Sequence, residues 1–489
     1  MTDAKSSTGK VYLVGAGPGD PGLITLRGVA CLQRADVVLY DYLVNPEIVD
    51  HVPAGAQRIS LGRHGHGRLM SQEEINGRIV DAARQGRVVV RLKAGDPAVF
   101  ARAAEELEAV RGAGLPVEIV PGITAALAVG SYAGIPLTHR DLASNLALVA
   151  GRQVELQSDC QSDYAELARF PGTLVVYMGV TTAESWTNWL IDAGKSPSTP
   201  VAIVRRVSWP DQQVFRCSLE EVAEVLGRHH VRPPALMIVG DVAAAEETVD
   251  WFQTRPLFGK TVLVTRPRGQ TENVRNRLAE LGAQVLLQDA IRIEPPDDWT
   301  PVDRAIKSLG SCDWLVFSSA NGVRYFMERL FDQGYDLRQL GQTRLAVIGP
   351  ATRDALAEYR LTADLRPDQY RAEALAEKMK QHVHRQRVLL ARASRGRQVL
   401  AEQLSEAGAH VEEIVVYNSR DVQQPQPEIV RALATGIIDW TTITSSAIAR
   451  SLIGLLGQDL NRTRLVSISP LTSATLRSLG FEPAAEATT

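Results

Sequence analysis

The stretch Val11-Tyr12-Leu13-Val14-Gly15-Ala16-Gly17-Pro18-Gly19-Asp20-Pro21-Gly22 decides how this chain is read. A β-branched apolar run ends in a glycine-rich turn. Asp20 then has the form of a helix N-cap, with Pro21 at the first helical position. The same grammar returns at Arg91-Leu92-Lys93-Ala94-Gly95-Asp96-Pro97-Ala98-Val99-Phe100 and at Val120-Pro121-Gly122-Ile123-Thr124-Ala125-Ala126. Small residues at strand carboxyl ends let a ligand approach the backbone. In open α/β sheets that edge is the ligand crevice. One such turn says little, but three in order form a constellation.

A dinucleotide fingerprint is the rival reading, since Asp41 closes the next strand where a ribose-binding acid would sit. It fails in two places. The third glycine of GxGxxG falls on Asp20, and Pro18 removes an amide where a pyrophosphate wants a donor. A carboxylate beside a pyrophosphate is electrostatically poor, whereas a cationic sulfonium tolerates it. A NAD-dependent oxidoreductase is therefore disfavoured.

Outward from these turns, near-continuous Val/Ile/Leu runs predict strands at 10–15, 35–41, 86–92, 117–122, 146–151, 172–179, 199–206 and 235–240. Such runs belong to strands buried on both faces, as in parallel sheets. Helical segments such as 73–86 and 101–114 lie between most of them, which argues for α/β architecture. The stretches 64–72 and 155–164 read as loops. The pattern restarts at 259–270 and continues through 283–288, 313–322, 344–350, 387–393, 411–420, 440–446 and 464–470. The main boundary is placed in the Pro-bearing DWFQTRPLFG segment at 250–259. Two further Pro-rich polar joints, EPPDDWTP at 294–301 and DVQQPQPE at 421–428, bracket an inserted lobe.

The expected domains are 1–258, with lobes of about 10–138 and 139–248, and 259–489. In the latter, about 259–293 plus 425–489 form an outer lobe and about 297–420 an inserted one.

Composition sets the class. The 489 residues carry 53 Lys and Arg against 56 Asp and Glu, a net charge of −3, with 45% hydrophobic and 22% charged residues. These values exclude wholesale disorder and a nucleic-acid binder that works through bulk positive charge. No apolar run reaches the ~18 residues of a membrane span, and the polar start MTDAKSSTGK is no secretory signal. Cys31, Cys160, Cys217 and Cys312 are scattered, with no CxxC pair or Cys/His cluster. No metal site is expected, and the thiols fit a reducing cytoplasm.

The ordered set VGAGPGDPGLITLRG, ADVVLYDYLV, SQEEIN, RLKAGDPAVFARAAEE, VPGITAA, AGIPLTHRDLAS and TLVVYMG resembles the tetrapyrrole methylase superfamily, and within it the uroporphyrinogen-III C-methyltransferases. The resemblance covers residues 10 to about 245 and implies a fold of two αβα lobes with substrate in the cleft between them. It implies transfer of two methyl groups from S-adenosylmethionine to uroporphyrinogen III, giving precorrin-2 for sirohaem or cobalamin. Implied donor contacts are Pro18, Ala94, Gly95, Asp96, Val99, Thr124, Ala125, Met178 and, through its backbone, Val207.

Several positions depart from the family pattern. Ala94 and Ala98 replace Gly and Phe, Ala101-Arg102-Ala103-Ala104 replaces Gly-Arg-Gly-Gly, and Val207 replaces Gly. The alanines fit if φ stays negative. The family's proton acceptor falls on Asp41, and its donor lysine is here Arg63. A guanidinium does not deprotonate, so Arg63 is expected to grip a substrate carboxylate, leaving Asp41 as the base. The substrate carries eight carboxylates, for which Arg140 is a further partner, as are His139, Arg152, Arg205 and Arg206. Relatives of this half are commonly homodimers.

Residues 259–485 resemble uroporphyrinogen-III synthase through VLVTRPRGQ, VFSSANGV, LAVIGPATRDAL, VLLARASRGR, VVYNSR and TTITSSAIAR. The resemblance implies a two-lobed α/β fold with a two-stranded connector and a discontinuous outer lobe. It implies closure of hydroxymethylbilane to uroporphyrinogen III with loss of water and without a cofactor. Tyr417 is the implied acid. Ser318, Ser319, Asn321, Thr444, Ser445 and Ser446 are candidate donors to carboxylates, although helix capping explains such residues equally well. Arg266 and Arg392 are expected in the cleft. The two resemblances agree, because the product of the second half is the substrate of the first. The alternative is a methylase of another corrin precursor with a non-catalytic C-terminal half.

Overall fold

The structure is a computed structural model that describes residues 9–62, 70–151, 160–245, 250–267, 269–396 and 398–488, without the side chains of 160–163. The chain forms two compact units, residues 1–260 with 278–284 and residues 261–277 with 285–489. Among the described residues no helix is long and apolar enough to cross a membrane, and no acidic, His or Cys group could hold a metal.

The first unit opens with a parallel sheet of β1 (Lys10–Gly15), β2 (Val37–Tyr40), β3 (Gln57–Ser60), β4 (Val88–Lys93) and β5 (Val117–Val120). Its order is β3-β2-β4-β1-β5. Alternate side chains leave opposite faces. Val11, Leu13, Leu39 and Val89 pack with Ile75, Ile79 and Ala83 of the helix Gln72–Arg84. On the other face Tyr12, Val14, Val38, Val90 and Leu92 pack with Cys31, Leu32 and Ile48. A capping box between Ser71 and Glu74 starts the helix Gln72–Arg84.

The second sheet contains β6 (Leu146–Ala150), β7 (Thr173–Tyr177), β8 (Pro200–Arg205), β9 (Gln213–Ser218) and β10 (Ala235–Val239), in the order β6-β7-β10-β8-β9. The apolar runs read as strands of the parallel-sheet kind, and this sheet is mixed: β6 and β7 are parallel, but β10 runs antiparallel to both β7 and β8, and β8 to β9. A continuous apolar run reports burial on both faces and carries no information on strand direction. The loop expected over 155–164 also ends early, because a helix runs Cys160–Arg169; residues 152–159 lie outside the described set.

The helix Ala125–Tyr132 follows the third glycine turn and joins the two lobes. Its Ala126, Ala128 and Val129 pack against Val175, Ala202, Val204 and Ile238 of the second sheet. Phe252, from the Pro-bearing 250–259 segment, is buried in that same core. Its ring meets Tyr132 edge-on at 4.6 Å, the Arg255 guanidinium lies 4.0 Å from its centroid, and Trp251 donates to Ser131 O at 2.8 Å. This segment is therefore a plug in the first unit.

The second unit holds β11 (Thr261–Val264), β12 (Gln284–Leu287), β13 (Ile291–Glu294), β14 (Trp314–Phe317), β15 (Arg344–Val347), β16 (Arg387–Ala393), β17 (His410–Asp421), β18 (Trp440–Ile443), β19 (Arg464–Ser467) and β20 (Ala485–Glu486). They form two sheets, β12-β11-β18-β19-β20 and β13-β17-β16-β14-β15. The first draws on both ends of the unit; the second is built from the middle. Strands β13 and β17 pair antiparallel, Ile291 with Asp421 through Glu294 with Asn418. They form a two-stranded ribbon where two polar joints are expected. Prolines 295 and 296 end β13 instead of replacing it, as Pro cannot extend the ladder.

Truncation of a fully buried aromatic typically costs about 3–5 kcal/mol. Phe252→Ala is expected to lower the unfolding free energy of the first unit by that amount, read as a lower midpoint in chemical denaturation, and an unchanged midpoint would contradict the plug.

Candidate functional site

The three glycine turns of the first unit touch one another through bare backbone. A Cβ on Gly15 would lie 2.5 Å from Gly122 N and 2.7 Å from Gly95 O; one on Gly122 would lie 2.3 Å from Gly95 O. Gly17 and Gly95 exchange amide bonds of 2.7 and 3.2 Å, and Ala16 N donates to Lys93 O at 2.7 Å. Asp96 clasps the assembly. Its Oδ1 accepts from Ala98 N at 2.7 Å and its Oδ2 from Gly122 N at 2.9 Å. Asp20 is committed in the same way, accepting from Gly22 N at 2.8 Å as the N-cap of the 3-10 turn Pro21–Leu23, and from the Tyr132 hydroxyl at 2.8 Å. Burial and the Asp20 charge push the Tyr132 hydroxyl well above its ordinary pKa, so it remains a donor.

The second lobe closes on this cluster. Tyr177, at the end of β7, sets its hydroxyl 2.6 Å from Thr124 Oγ1 and accepts from Ala126 N at 2.7 Å. It thereby satisfies an orphan amide at the start of the helix Ala125–Tyr132, whose N-cap Thr124 makes no such bond. The Tyr177 ring packs on Phe100, centroids 5.0 Å apart. Ser208 Oγ accepts from Asp20 N at 2.9 Å.

The residues expected to hold the donor therefore share one edge. Pro18 lies in the first turn, Ala94, Gly95, Asp96 and Val99 in the second, and Thr124 and Ala125 in the third. Met178 follows Tyr177 and is half exposed in a left-handed conformation, φ 54°. Val207 precedes Ser208; it is buried, and its own φ is not positive, the left-handed residues being Arg206 and Ser208. A β-branched residue is thus accommodated where the family carries Gly. Ala94, Ala98, Ala101, Ala103 and Ala104 likewise avoid positive φ, which falls instead on Phe100 at 50° and Arg102 at 54°. Gly95, at φ +69°, faces open space: a Cβ there would find only Thr124, at 3.8 Å. That open side leaves room for a ligand against the turn.

Asp41 follows β2 and is not a solitary carboxylate. Its Oδ1 accepts from Arg91 Nη2 at 2.6 Å. Arg63 and Arg152 lie outside the described residues. Arg140 is exposed in the loop closed by the pairing of His139 with Ala143. Arg205 and Arg206 both pair with Asp211, at 3.5 and 2.6 Å. The Asp20–Tyr132 bond and the Tyr177–Thr124 bond, the latter linking the two lobes, were not legible in the sequence; only the polar Tyr at the end of the apolar run at 173–177 hinted at the second.

In the second unit, Ser319 Oγ lies 3.0 Å from the Tyr417 hydroxyl while accepting from Gly322 N at 3.1 Å, so this serine caps the helix Ala320–Asp332 and meets the tyrosine too. The β16–β17 pairing slips between Arg392 and Ala393, so that Ala393 pairs with Tyr417. This bulge turns both Val416 and Tyr417 inward, where simple alternation would expose Tyr417 with Val415. Tyr325 stacks on Tyr417 at 5.7 Å. Burial raises the Tyr417 pKa above its ordinary value, so the hydroxyl keeps its proton.

Asn321 Oδ1 accepts from Gln270 Nε2 at 3.0 Å, joining the inserted lobe to the outer one. Ser318 follows β14, and Thr444 follows β18. Ser445 caps the helix Ser446–Leu456, and Ser446 accepts from Thr475 Oγ1 at 2.8 Å. Arg266 is half-buried after β11. Arg392 pairs with Glu413 and donates to Ala393 O and Gly396 O.

Two α/β units with glycine-lined strand ends in the first and a buried tyrosine beside serine-capped helices in the second define a fused pair of small-molecule enzymes. Residues 10–223 match the family of tetrapyrrole (corrin/porphyrin) methylases and residues 272–489 that of uroporphyrinogen-III synthase HemD. A porphyrin biosynthesis protein HemD of Ruminiclostridium josui is 33% identical over 446 residues, 91% of this chain and 88% of that one. A uroporphyrinogen-III C-methyltransferase of Bacillus subtilis is 38% identical over 333 residues, 68% of each chain. A siroheme synthase of Zymomonas mobilis is 45% identical over 248 residues, 50% of this chain and 52% of its own. Among solved structures, uroporphyrin III C-methyl transferase from Thermus thermophilus is 42% identical, covering 50% of this chain and 98% of its own with a TM-score of 0.42. The chain belongs to the tetrapyrrole methylases through its N-terminal half and to the HemD uroporphyrinogen-III synthases through its C-terminal half, and is an enzyme of both kinds.

Gly122→Ala forces a Cβ into the Gly95 carbonyl, a backbone contact that no rotamer relieves. It is expected to weaken S-adenosylhomocysteine binding at least tenfold in calorimetric titration, about 1.4 kcal/mol. Unaltered affinity would show that the turns do not shape the donor site.

Proposed function

We propose that the C-terminal half closes hydroxymethylbilane to uroporphyrinogen III and that the N-terminal half methylates this product twice to precorrin-2, on the route to sirohaem or cobalamin. One observation carries the reading: both families occupy one chain, and the product of one reaction is the substrate of the other. The relatives named siroheme synthase point the same way.

S-adenosylmethionine, when bound, supplies a methyl group already activated as a sulfonium. The chain's own task is then mainly orientation, worth up to about 7–11 kcal/mol in ideal cases. The open face of Gly95, with Pro18, Ala94, Val99, Thr124 and Ala125, would hold the donor against the turn edge. Met178 supplies a soft wall and Val207 its backbone. Asp96 and Asp20 act by fixing the turns, since each already accepts two hydrogen bonds. As the new carbon–carbon bond forms on the pyrrole, Asp41 accepts the proton that the tetrapyrrole sheds. Arg63 and Arg140 meet substrate carboxylates through charge-assisted bonds of roughly 1.5–3 kcal/mol each.

In the synthase half, the hydroxymethyl C–O bond breaks and the oxygen leaves as water with a proton from Tyr417, while a new carbon–carbon bond closes the ring and the pyrrole C–H proton it displaces returns to the Tyr417 oxygen. Ser319, within 3.0 Å of the Tyr417 hydroxyl, orients it. Ser318, Asn321, Thr444, Ser445, Ser446 and Arg266 supply polar contacts to the substrate's acid groups.

The test is one coupled assay with hydroxymethylbilane under reducing conditions, with and without S-adenosylmethionine. Isomer III alone, and a dimethylated product when the donor is added, are expected. Spontaneous closure to the other isomer, with methylation only of supplied uroporphyrinogen III, would leave the second half without catalysis.

Tyr417→Phe is expected to slow ring closure by no more than about 10²-fold, the lower range for a general acid. Because the folded-state pKa lies above the ordinary value, the acid form is retained up to at least about pH 10. Rates of the native enzyme should therefore show no alkaline loss from this group below that pH. A Tyr417-dependent fall near neutrality would refute the assignment.

A further inference from the structure

Strand β4 reads Val88-Val89-Val90-Arg91-Leu92-Lys93, two cations in an otherwise apolar buried strand. Two residues apart, Arg91 and Lys93 leave the same face of the sheet. Glu106, on the helix Ala103–Gly112, meets both: its Oε1 accepts from Arg91 Nε at 2.9 Å, and Lys93 Nζ lies 2.8 Å from each of its oxygens. Gln72 Nε2 approaches Oε1 at 3.5 Å. A second nitrogen of the same guanidinium, Arg91 Nη2, donates to Asp41 Oδ1 at 2.6 Å. The side chains of Arg91, Lys93 and Glu106 are 4%, 3% and 0% exposed, and that of Asp41 is 31% exposed. Asp41 is thus the one member that opens outward.

Burial of an ion costs several kcal/mol, and apolar residues of similar volume often stabilise a core as well or better. Stability alone therefore does not account for this cluster. Its formal charges balance, two cations against two carboxylates. The guanidinium is a rigid planar fork, so fixing Nε on Glu106 fixes the direction of the Nη2 that grips Asp41. Lys93 locks Glu106 in turn; burial and the Arg91 charge hold its amine below the ordinary lysine range, the signature of a cation kept inside at a cost.

We infer that Arg91, Glu106 and Lys93 are positioning residues for methyl transfer, a buried charge-balanced network that orients the Asp41 carboxylate toward the reacting tetrapyrrole. The inference rests on Asp41 acting as the base, as proposed above. It assigns no substrate contact to the three buried residues: they act through Asp41.

The experiment is steady-state methyl transfer by the full chain, supplied with uroporphyrinogen III and S-adenosylmethionine, in the native and Asp41→Asn backgrounds. Glu106→Gln is expected to lower kcat at least tenfold, with KM for the tetrapyrrole and affinity for S-adenosylhomocysteine within about twofold. Adding Lys93→Met, which removes the opposite charge, should recover part of the loss. Arg91→Lys keeps the cation but drops the fork, and should also lower kcat; it serves if Glu106→Gln does not fold. In the Asp41→Asn background, Glu106→Gln should have no further effect on kcat. Two outcomes overturn the inference alone: Asp41→Asn is slow but both Glu106→Gln and Arg91→Lys turn over normally, or Glu106→Gln costs as much without Asp41 as with it. If Asp41→Asn itself keeps native turnover, the base role falls, and the network's purpose with it.

Discussion

The carboxyl ends of β1, β4 and β5 come so close that a Cβ fits at neither Gly15 nor Gly122, each of which lies against the backbone of the Gly95 turn. The methylase unit depends on this contact. Three loops that would otherwise be separate become a continuous backbone surface, with amides of one turn bonded to carbonyls of the next. Asp96 can then span from its own turn to Gly122 because nothing stands in the way. The cost is conformational: positive φ within these turns falls on glycines, Gly17, Gly19 and Gly95, and just beyond them on Phe100 and Arg102. A methyl-transfer site needs little chemistry from its protein but does need fixed geometry, and a backbone-on-backbone contact has few ways to relax.

Fixing the turns also fixes the second lobe. Asp20 caps the first turn and holds Tyr132 at the end of the helix that begins at the third. Tyr177 reaches from the other sheet to the start of that helix. The helix Ala125–Tyr132 is therefore bound at both ends by residues of the opposite lobe or the opposite turn, and its middle is packed on the second sheet. Phe252 completes that core from the segment that leads to the synthase unit, so the end of one enzyme is part of its own interior.

In the synthase unit a single bulge does comparable work. Without the slip between Arg392 and Ala393, Tyr417 would follow Val415 to the exposed face. With it, the phenol is buried beside Ser319 and stacked on Tyr325. The serines that cap helices here illustrate why residue type alone leaves their role open. Ser319 caps and also meets Tyr417, whereas Ser445 caps the helix Ser446–Leu456 at its own strand end.

Much of this protein follows from its sequence. Strands buried on both faces must be apolar and β-branched throughout, so most of them stand out at nearly their observed limits, and the turns that end them are marked by Gly, Asp and Pro. The strands that escaped notice, β3, β9, β13 and β20, all lie at sheet edges, where one side is exposed and sequences such as Gln57-Arg58-Ile59-Ser60 suffice. Strand direction in the second lobe, the bulge at Tyr417 and the Arg91–Glu106–Asp41 chain belong to the tertiary structure alone. Each joins residues far apart along the chain, and a local pattern of apolar and polar residues records whether a side chain is buried but not what it is buried against.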